Sequence, residues 1–317
     1  MAHEFHRMIH LEPSRGRVDL RGGALTPMGE TSVLVEFGGL RLLVNPSMGR
    51  GNTQDWTWVS PPDEVGVPPS APRRPVAVPE LDAVVQLELP DELFDAVADL
   101  HLDRSIPVVT FPDAVESLES RSFDNVHMLD TWQWIALRKG DASITLTALP
   151  VRDGDGDDDD SSLPAMGCML ELRSRPDQTP YRIYFSGPAR LTPQVEEIAY
   201  RYPRIDLGVM TLTTTTMHGV MLAIDVGAGL ELTRAIHADR VIPVHKFNHI
   251  FDWSRRDFER AMARHGDRDA TLSLECGQPF WFEVEGAVGD RSFSIPGLPY
   301  SPAHISSDIP STSVPAR

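Results

Sequence analysis

Cysteine is nearly missing: Cys168 and Cys276 are the only two in 317 residues. Two thiols with no Cys-x-x-Cys spacing exclude a disulfide framework and a thiolate zinc cluster. Each lies in an apolar, strand-like stretch and reads as a small buried hydrophobe. Lysine is as scarce. Lys139 and Lys246 stand alone, the other 27 basic residues are arginine, and 46 acidic side chains leave a formal charge of −17. That balance lacks the basic footprint a polyanion needs, so neither nucleic acid nor a membrane surface is an expected partner. No apolar run approaches the ~20 residues that cross a bilayer. The opening Met-Ala-His-Glu-Phe-His-Arg-Met has no apolar core or cleavage signature of a secretory leader. A soluble, cytoplasmic protein is expected. The phosphate loops Gly-x-Gly-x-x-Gly and Walker A are absent, as is the Gly-x-Ser-x-Gly elbow. Asp225-Val-Gly-Ala-Gly-Leu is only a weak echo of a glycine-rich turn, and Asp225 reads as a helix N-cap.

What remains is a chain 41% hydrophobic, long enough for one large domain or two small ones. Residues 60–80 are proline-rich and read as an extended connector. Residues 153–162 (DGDGDDDDSS) form an acidic loop that lacks the spaced ligands and distal Glu of a calcium loop and reads as a solvated charge run. Residues 299–317 have no helical period. Elsewhere the signal is mostly β. Thr31–Phe37 and Leu40–Val44 flank Gly38-Gly39 as a hairpin. Short strands are expected at Leu81–Leu87, Ile106–Phe111, Trp134–Arg138, Ser143–Leu149, Gly167–Leu172, Tyr181–Phe185, Leu207–Leu212, Val241–Val244, Thr271–Leu274 and Pro279–Val284. Helical patterns cover Asp91–Leu100, Pro112–Glu119, Thr192–Tyr202, Asp225–Ala238 and Ser254–His265. Two β-rich runs, each followed by helices, predict an α/β (α+β) fold, a four-layer αββα sandwich. It would occupy 25–285, with an N-terminal extension 1–24 and a C-terminal arm 286–317.

Several blocks then fall into a familiar order. Leu25–Pro46 (LTPMGETSVLVEFGGLRLLVNP), Leu81–Asp95 (LDAVVQLELPDELFD), Tyr184–Pro188 (YFSGP), Ile205–Leu212 and Asp239–His245 (DRVIPVH) resemble the metallo-β-lactamase-fold hydrolases, in their lactonase-like and phospholipase-D-like branch. The resemblance implies a site for two zinc ions at one edge of the sheets, held by a His-x-His-x-Asp-His motif and further His and Asp residues. Zinc takes about four N, O or S ligands and a hydrolytic site keeps one position for water. With Asp91 set under the motif's Asp, the first histidine is Leu87, the second Leu89 and the last Glu92. Leucine has no lone pair to give. The third ligand loop reads Pro150-Val151-Arg152-Asp153, the bridging Asp is Pro188, the upstream Gly-His is Gly29-Glu30, and the Asp before Pro46 is Asn45. Only His245 keeps the family's residue.

The implied dinuclear centre is therefore expected to be lost and no metal cofactor is expected. Asp91, Glu92 and His245 remain as one carboxylate pair and an imidazole, a set that suits a single Zn, Fe or Mn. Alternatively Asp91 caps the helix that begins there and Glu92 favours its dipole. Leu87, Leu89, Glu30, Asp153, Pro188 and His218 are the expected pocket residues, and Trp56, Trp58, Trp132 and Trp134 either wall it or pack beneath the connector. Three functions stay open. One is a binder of a small molecule or partner in the former metal cleft. A second is a metal-independent enzyme in which Glu92 and His245 move protons and Asp91 orients the imidazole. The third is a mononuclear-metal hydrolase of an ester, lactone or phosphodiester. A small-molecule ligand or substrate is the expected partner, and a homodimer is permitted.

Overall fold

Strand alternation and glycine turns build two large sheets. The computed structural model describes residues 7–14, 18–29, 31–46, 78–89, 94, 102–151, 164–189, 191–212, 216–217, 220–221, 226–245, 248–266 and 270–284. Residues 60–77 of the expected connector, the acidic loop, the C-terminal arm, Trp56 and Trp58 lie outside them, as does all of the 91–100 helix except helical Phe94.

The strands, in chain order, are β1 (Arg7–His10), β2 (Gly22–Gly29), β3 (Ser32–Phe37), β4 (Leu40–Val44), β5 (Ala83–Val85), β6 (Val108–Thr110), β7 (Val126–Met128), β8 (Trp134–Lys139), β9 (Ala142–Leu149), β10 (Gly167–Arg173), β11 (Tyr181–Phe185), β12 (Ile205–Leu212), β13 (Thr216–Met217), β14 (Val220–Met221), β15 (Ala238–His245) and β16 (Phe280–Glu283). One seven-stranded sheet runs β16-β2-β3-β4-β5-β6-β7 and the other β1-β8-β9-β10-β11-β12-β15. Each sheet has an antiparallel half and a parallel half: β4 to β7 are parallel in the first, and β11, β12 and β15 in the second. The β3–β4 hairpin turns on Gly38 and Gly39, with φ of +56° and +80°. That left-handed pair is what a two-residue hairpin demands.

Three apolar clusters make this a four-layer αββα sandwich. Between the sheets, Val35, Phe37 and Leu42 of one meet Leu137, Leu146 and Leu170 of the other. Outside the second sheet, Met169, Tyr184 and Met210 pack on Val195, Ile198, Leu232, Ile236, Phe258 and Met262. Those six come from the helices Pro193–Arg201, Val226–Ile236 and Asn248–Arg264. Outside the first sheet, Leu34, Leu43, Val84 and Val108 meet Phe94, Leu118 and Phe123. The helix Pro193–Arg201 starts as its sequence dictates: Thr192 Oγ1 accepts from Val195 N at 3.3 Å, and Pro193 fills the first turn. Trp132, with Arg201 4.0 Å above its ring, packs on the helix-side cluster of the second sheet.

Several expectations are corrected. Thr271–Leu274 is no strand; only Thr271 makes an isolated bridge, to Val241, while Leu272 and Leu274 pack on the inter-sheet core. The Leu81–Leu87 strand shrinks to Ala83–Val85, and beyond it Glu88 bridges to Ala165 instead of extending the ladder. The last long helix starts at Asn248, not Ser254. Cys168 is buried, but Cys276 is half-buried and lies in a turn. β1, within the N-terminal extension, adds parallel to β8.

Tyr184 is fully buried and its hydroxyl finds no hydrogen-bond partner among the described residues. Burial pushes that hydroxyl's pKa up. An unpaired buried hydroxyl carries a desolvation penalty of about 1–3 kcal/mol. Tyr184→Phe is therefore expected to leave the urea midpoint unchanged or raise it; a loss of more than about 1 kcal/mol would reveal an unseen partner.

Candidate functional site at the sandwich edge

Parallel strands locate the site, because ligands of such sheets bind beyond the carboxyl ends. Here the carboxyl ends of both parallel halves meet at one edge. Leu87 and Glu88 follow β5; Met166 N donates to Leu87 O at 2.8 Å, and Glu88 pairs antiparallel with Ala165. Gly167, the next residue, stands opposite Leu149 at the end of β9, and Cys168 opposite Phe185 at the end of β11. The chain segment that would carry a metal motif is thus stitched to the neighbouring sheet by its backbone.

On the first sheet's side a polar network occupies the edge. Asn45, at φ +51°, donates its backbone N–H to Val85 O at 2.7 Å. Its Nδ2 donates to Thr31 Oγ1 at 2.7 Å and to Glu88 Oε1 at 3.4 Å, and its carbonyl accepts from Ser32 Oγ at 3.0 Å. Gln86 Nε2 donates to Glu88 O at 2.7 Å, and Gln86 O accepts from Thr110 Oγ1 at 3.0 Å. Thr31, Ser32, Asn45, Gln86, Glu88 and Thr110 are all buried. Among the described residues, Gln86 Oε1 has no hydrogen-bond partner.

The second sheet contributes a turn. Ser186 N donates to Val209 O at 3.0 Å, while Ser186 Oγ accepts from Thr211 N at 3.0 Å and donates to Gly187 O at 2.7 Å. Gly187 has φ +54°, and a Cβ there would lie 2.6 Å from Met166 O. Only glycine allows the turn to approach the Leu87–Met166 stitch so closely.

The expected site residues divide accordingly. Leu87 is 2% exposed and belongs to the inter-sheet core, with Leu89 partly buried against the same cluster. Pro188 is half-buried in the turn after β11. His245 ends β15 opposite Leu212, which puts its backbone on this edge. Glu30, Asp91, Glu92, Asp153 and His218 lie outside the described residues. Sequence reasoning missed Thr31, Gln86 and Glu88. A charged residue between two leucines was the available signal, since a carboxylate is almost never buried without a partner.

Among the described residues, no three His, Cys, Asp or Glu side chains come together. Among the described residues the buried edge offers one carboxylate, Glu88, with neutral amide and hydroxyl groups beside it. Two zinc ions require several imidazole, thiolate or carboxylate ligands. The described residues do not supply that set.

Two facing sheets with helices on their outer faces define a metallo-β-lactamase-fold protein. The chain belongs to the family described as the beta-lactamase superfamily domain, whose model matches residues 40–246. Among solved structures it is similar to the isothiocyanate hydrolase from Delia radicum gut bacteria, at 16% identity and a TM-score of 0.59 over 82% of this chain and 100% of that one. A possible metal-dependent hydrolase from Veillonella parvula shares 14% identity at a TM-score of 0.54, over 83% of this chain and 99% of its own. CmlA, a diiron β-hydroxylase from Streptomyces venezuelae, shares 15% identity at a TM-score of 0.56, over 83% of this chain and 54% of its own. No curated protein matches the chain. At these identities the likeness establishes the fold. Among the described residues no helix is long and apolar enough to cross a membrane.

Proposed function

We propose that this member of the family works without the two-metal hydrolytic centre and binds a small molecule at the sandwich edge. One observation carries the reading. Leu87, set where the first motif histidine falls, is 2% exposed in the inter-sheet core, and its carbonyl is held by Met166 N at 2.8 Å. An aliphatic side chain fixed there offers no lone pair to a metal ion that would activate water. Leu89 packs beside it and Pro188 stands where the family has its bridging carboxylate, which supports the same reading.

Elemental analysis of protein purified without added metal tests it. Metal well below one ion per chain is expected, with a melting temperature unmoved by chelator dialysis, since an ion bound to the native state alone would stabilise it. Two ions per chain would overturn the reading. A single stoichiometric ion, lost on His245→Ala or Asp91→Ala, would replace it with a mononuclear-metal hydrolase.

A further inference from the structure

We propose that a row of donors on the outer face of the second sheet takes the phosphate group of a small phosphomonoester. This site is separate from the sandwich edge and independent of the reading above. Pairing sets His10 of β1 opposite Arg138 of β8, Arg138 opposite Ser143 of β9, and Ser143 opposite Arg173 of β10. Their strand neighbours Ile9, Leu137, Ile144 and Leu172 pack in the inter-sheet core. With a side-chain period of two, the row therefore lies on the sheet's outer face. From Ser143 to Leu149, where β9 reaches the edge, is about 20 Å of strand. Arg138 and Arg173 stand two strands apart, about 10 Å between backbones, with only a small serine between them.

The row is short of acceptors. His10 and Arg138 are exposed, and neither the Arg138 guanidinium nor the Ser143 hydroxyl meets an acceptor among the described residues. Arg173 Nη2 donates to Glu171 Oε1 at 3.3 Å, while its Nε is buried with no partner among the described residues. A buried donor left without an acceptor is costly. Glu171 does not neutralise Arg173 alone, because the same Oε1 accepts from Arg182 Nε at 2.9 Å. Two guanidinium groups thus share one carboxylate oxygen, and Arg138 has none. Guanidinium donors on two sides of a hydroxyl match a tetrahedral oxyanion carrying nearly two charges, whereas a planar carboxylate is satisfied by one guanidinium fork. The formal charge of −17 does not oppose this. Exposed charges beyond about 8 Å are largely screened at physiological ionic strength, so the local balance decides. A single phosphate, unlike a polyanion, needs no extended basic footprint.

Calorimetric titration at fixed ionic strength with methyl phosphate, and with acetate as the planar anion, tests this. Saturable methyl phosphate binding is expected, weakened about tenfold or more by Arg138→Gln, with acetate about tenfold weaker on the unaltered protein. Arg260→Gln removes an equally exposed cation from the helix Asn248–Arg264 and is expected to leave the affinity within about twofold. Circular dichroism checks folding of each variant. Should Arg138→Gln not fold, Ser143→Asp decides, because it sets a carboxylate between the two arginines and is expected to abolish binding. No saturable methyl phosphate binding, equal binding of acetate, or an affinity that survives the row variants overturns the proposal, as does an equal loss in Arg260→Gln. Each of these leaves the reading of the sandwich edge intact; two bound metal ions would remove that reading without touching this row.

Discussion

Gly187→Ala is expected to lower the unfolding free energy by about 2–4 kcal/mol, whereas Gly140→Ala should lower it by only about 1–2 kcal/mol. Both glycines have left-handed backbone, at φ +54° and +59°, so both variants carry the same conformational strain. They differ in space. A Cβ on Gly140 meets nothing within 4 Å, while one on Gly187 would lie 2.6 Å from Met166 O and 3.6 Å from Val151 Cγ1. Relief requires moving Met166, whose N–H holds Leu87 O at 2.8 Å. A buried donor and acceptor separated there forfeit about 1–3 kcal/mol. Urea denaturation of the two variants side by side isolates the contact from the strain. Equal losses would mean that Met166 shifts freely and that the stitch between the sheets is not a fixed part of the edge.

Much of this fold was legible in the sequence because several signals are local. The Gly38-Gly39 turn set the β3–β4 register, with Phe37 opposite Leu40. All eight residues of β12 are buried, and a strand covered on both faces reads as a continuous apolar run. β7 was not legible. Its three residues are half-buried or exposed and show no alternation; only pairing with Val108, Val109 and Thr110 makes them a strand. The alternation Thr-Leu-Ser-Leu at 271–274 misled for the opposite reason, because its leucines pack on the inter-sheet core without a ladder.

The edge was partly legible. Leu87 and Leu89 identify an aliphatic pair, but sequence alone does not tell which members of an alternating run face the core and which face a neighbour's strand end. In the sequence Asn45 shows only as Asn where the resemblance has Asp; its φ of +51° and its links to Thr31 and Glu88 depend on three segments far apart in the chain. The Glu88–Ala165 bridge is equally non-local and changes how the motif segment reads.

Leu87→His, which places an imidazole at the position aligned with the first motif histidine, should harm the protein without creating a metal site. Leu87 is 2% exposed within the inter-sheet cluster, so removing its apolar contact loses about 1.5–3 kcal/mol of burial. An imidazole in that position adds the desolvation of its ring nitrogens, giving an expected total of about 3–5 kcal/mol. The pH dependence has a definite sign. Burial disfavours the imidazolium, so the folded-state pKa falls below the unfolded value of about 6.5. The unfolded chain then binds the extra proton, and stability drops further as pH falls through about 6.5. Thermal melts of the variant between pH 5 and 8 would show the deficit widening on the acid side. Zinc chloride is expected to leave each melt where it was. A rise of several degrees with zinc, absent from the unaltered protein, would mean that ligands converge on position 87 after all, and would return the dinuclear centre to consideration.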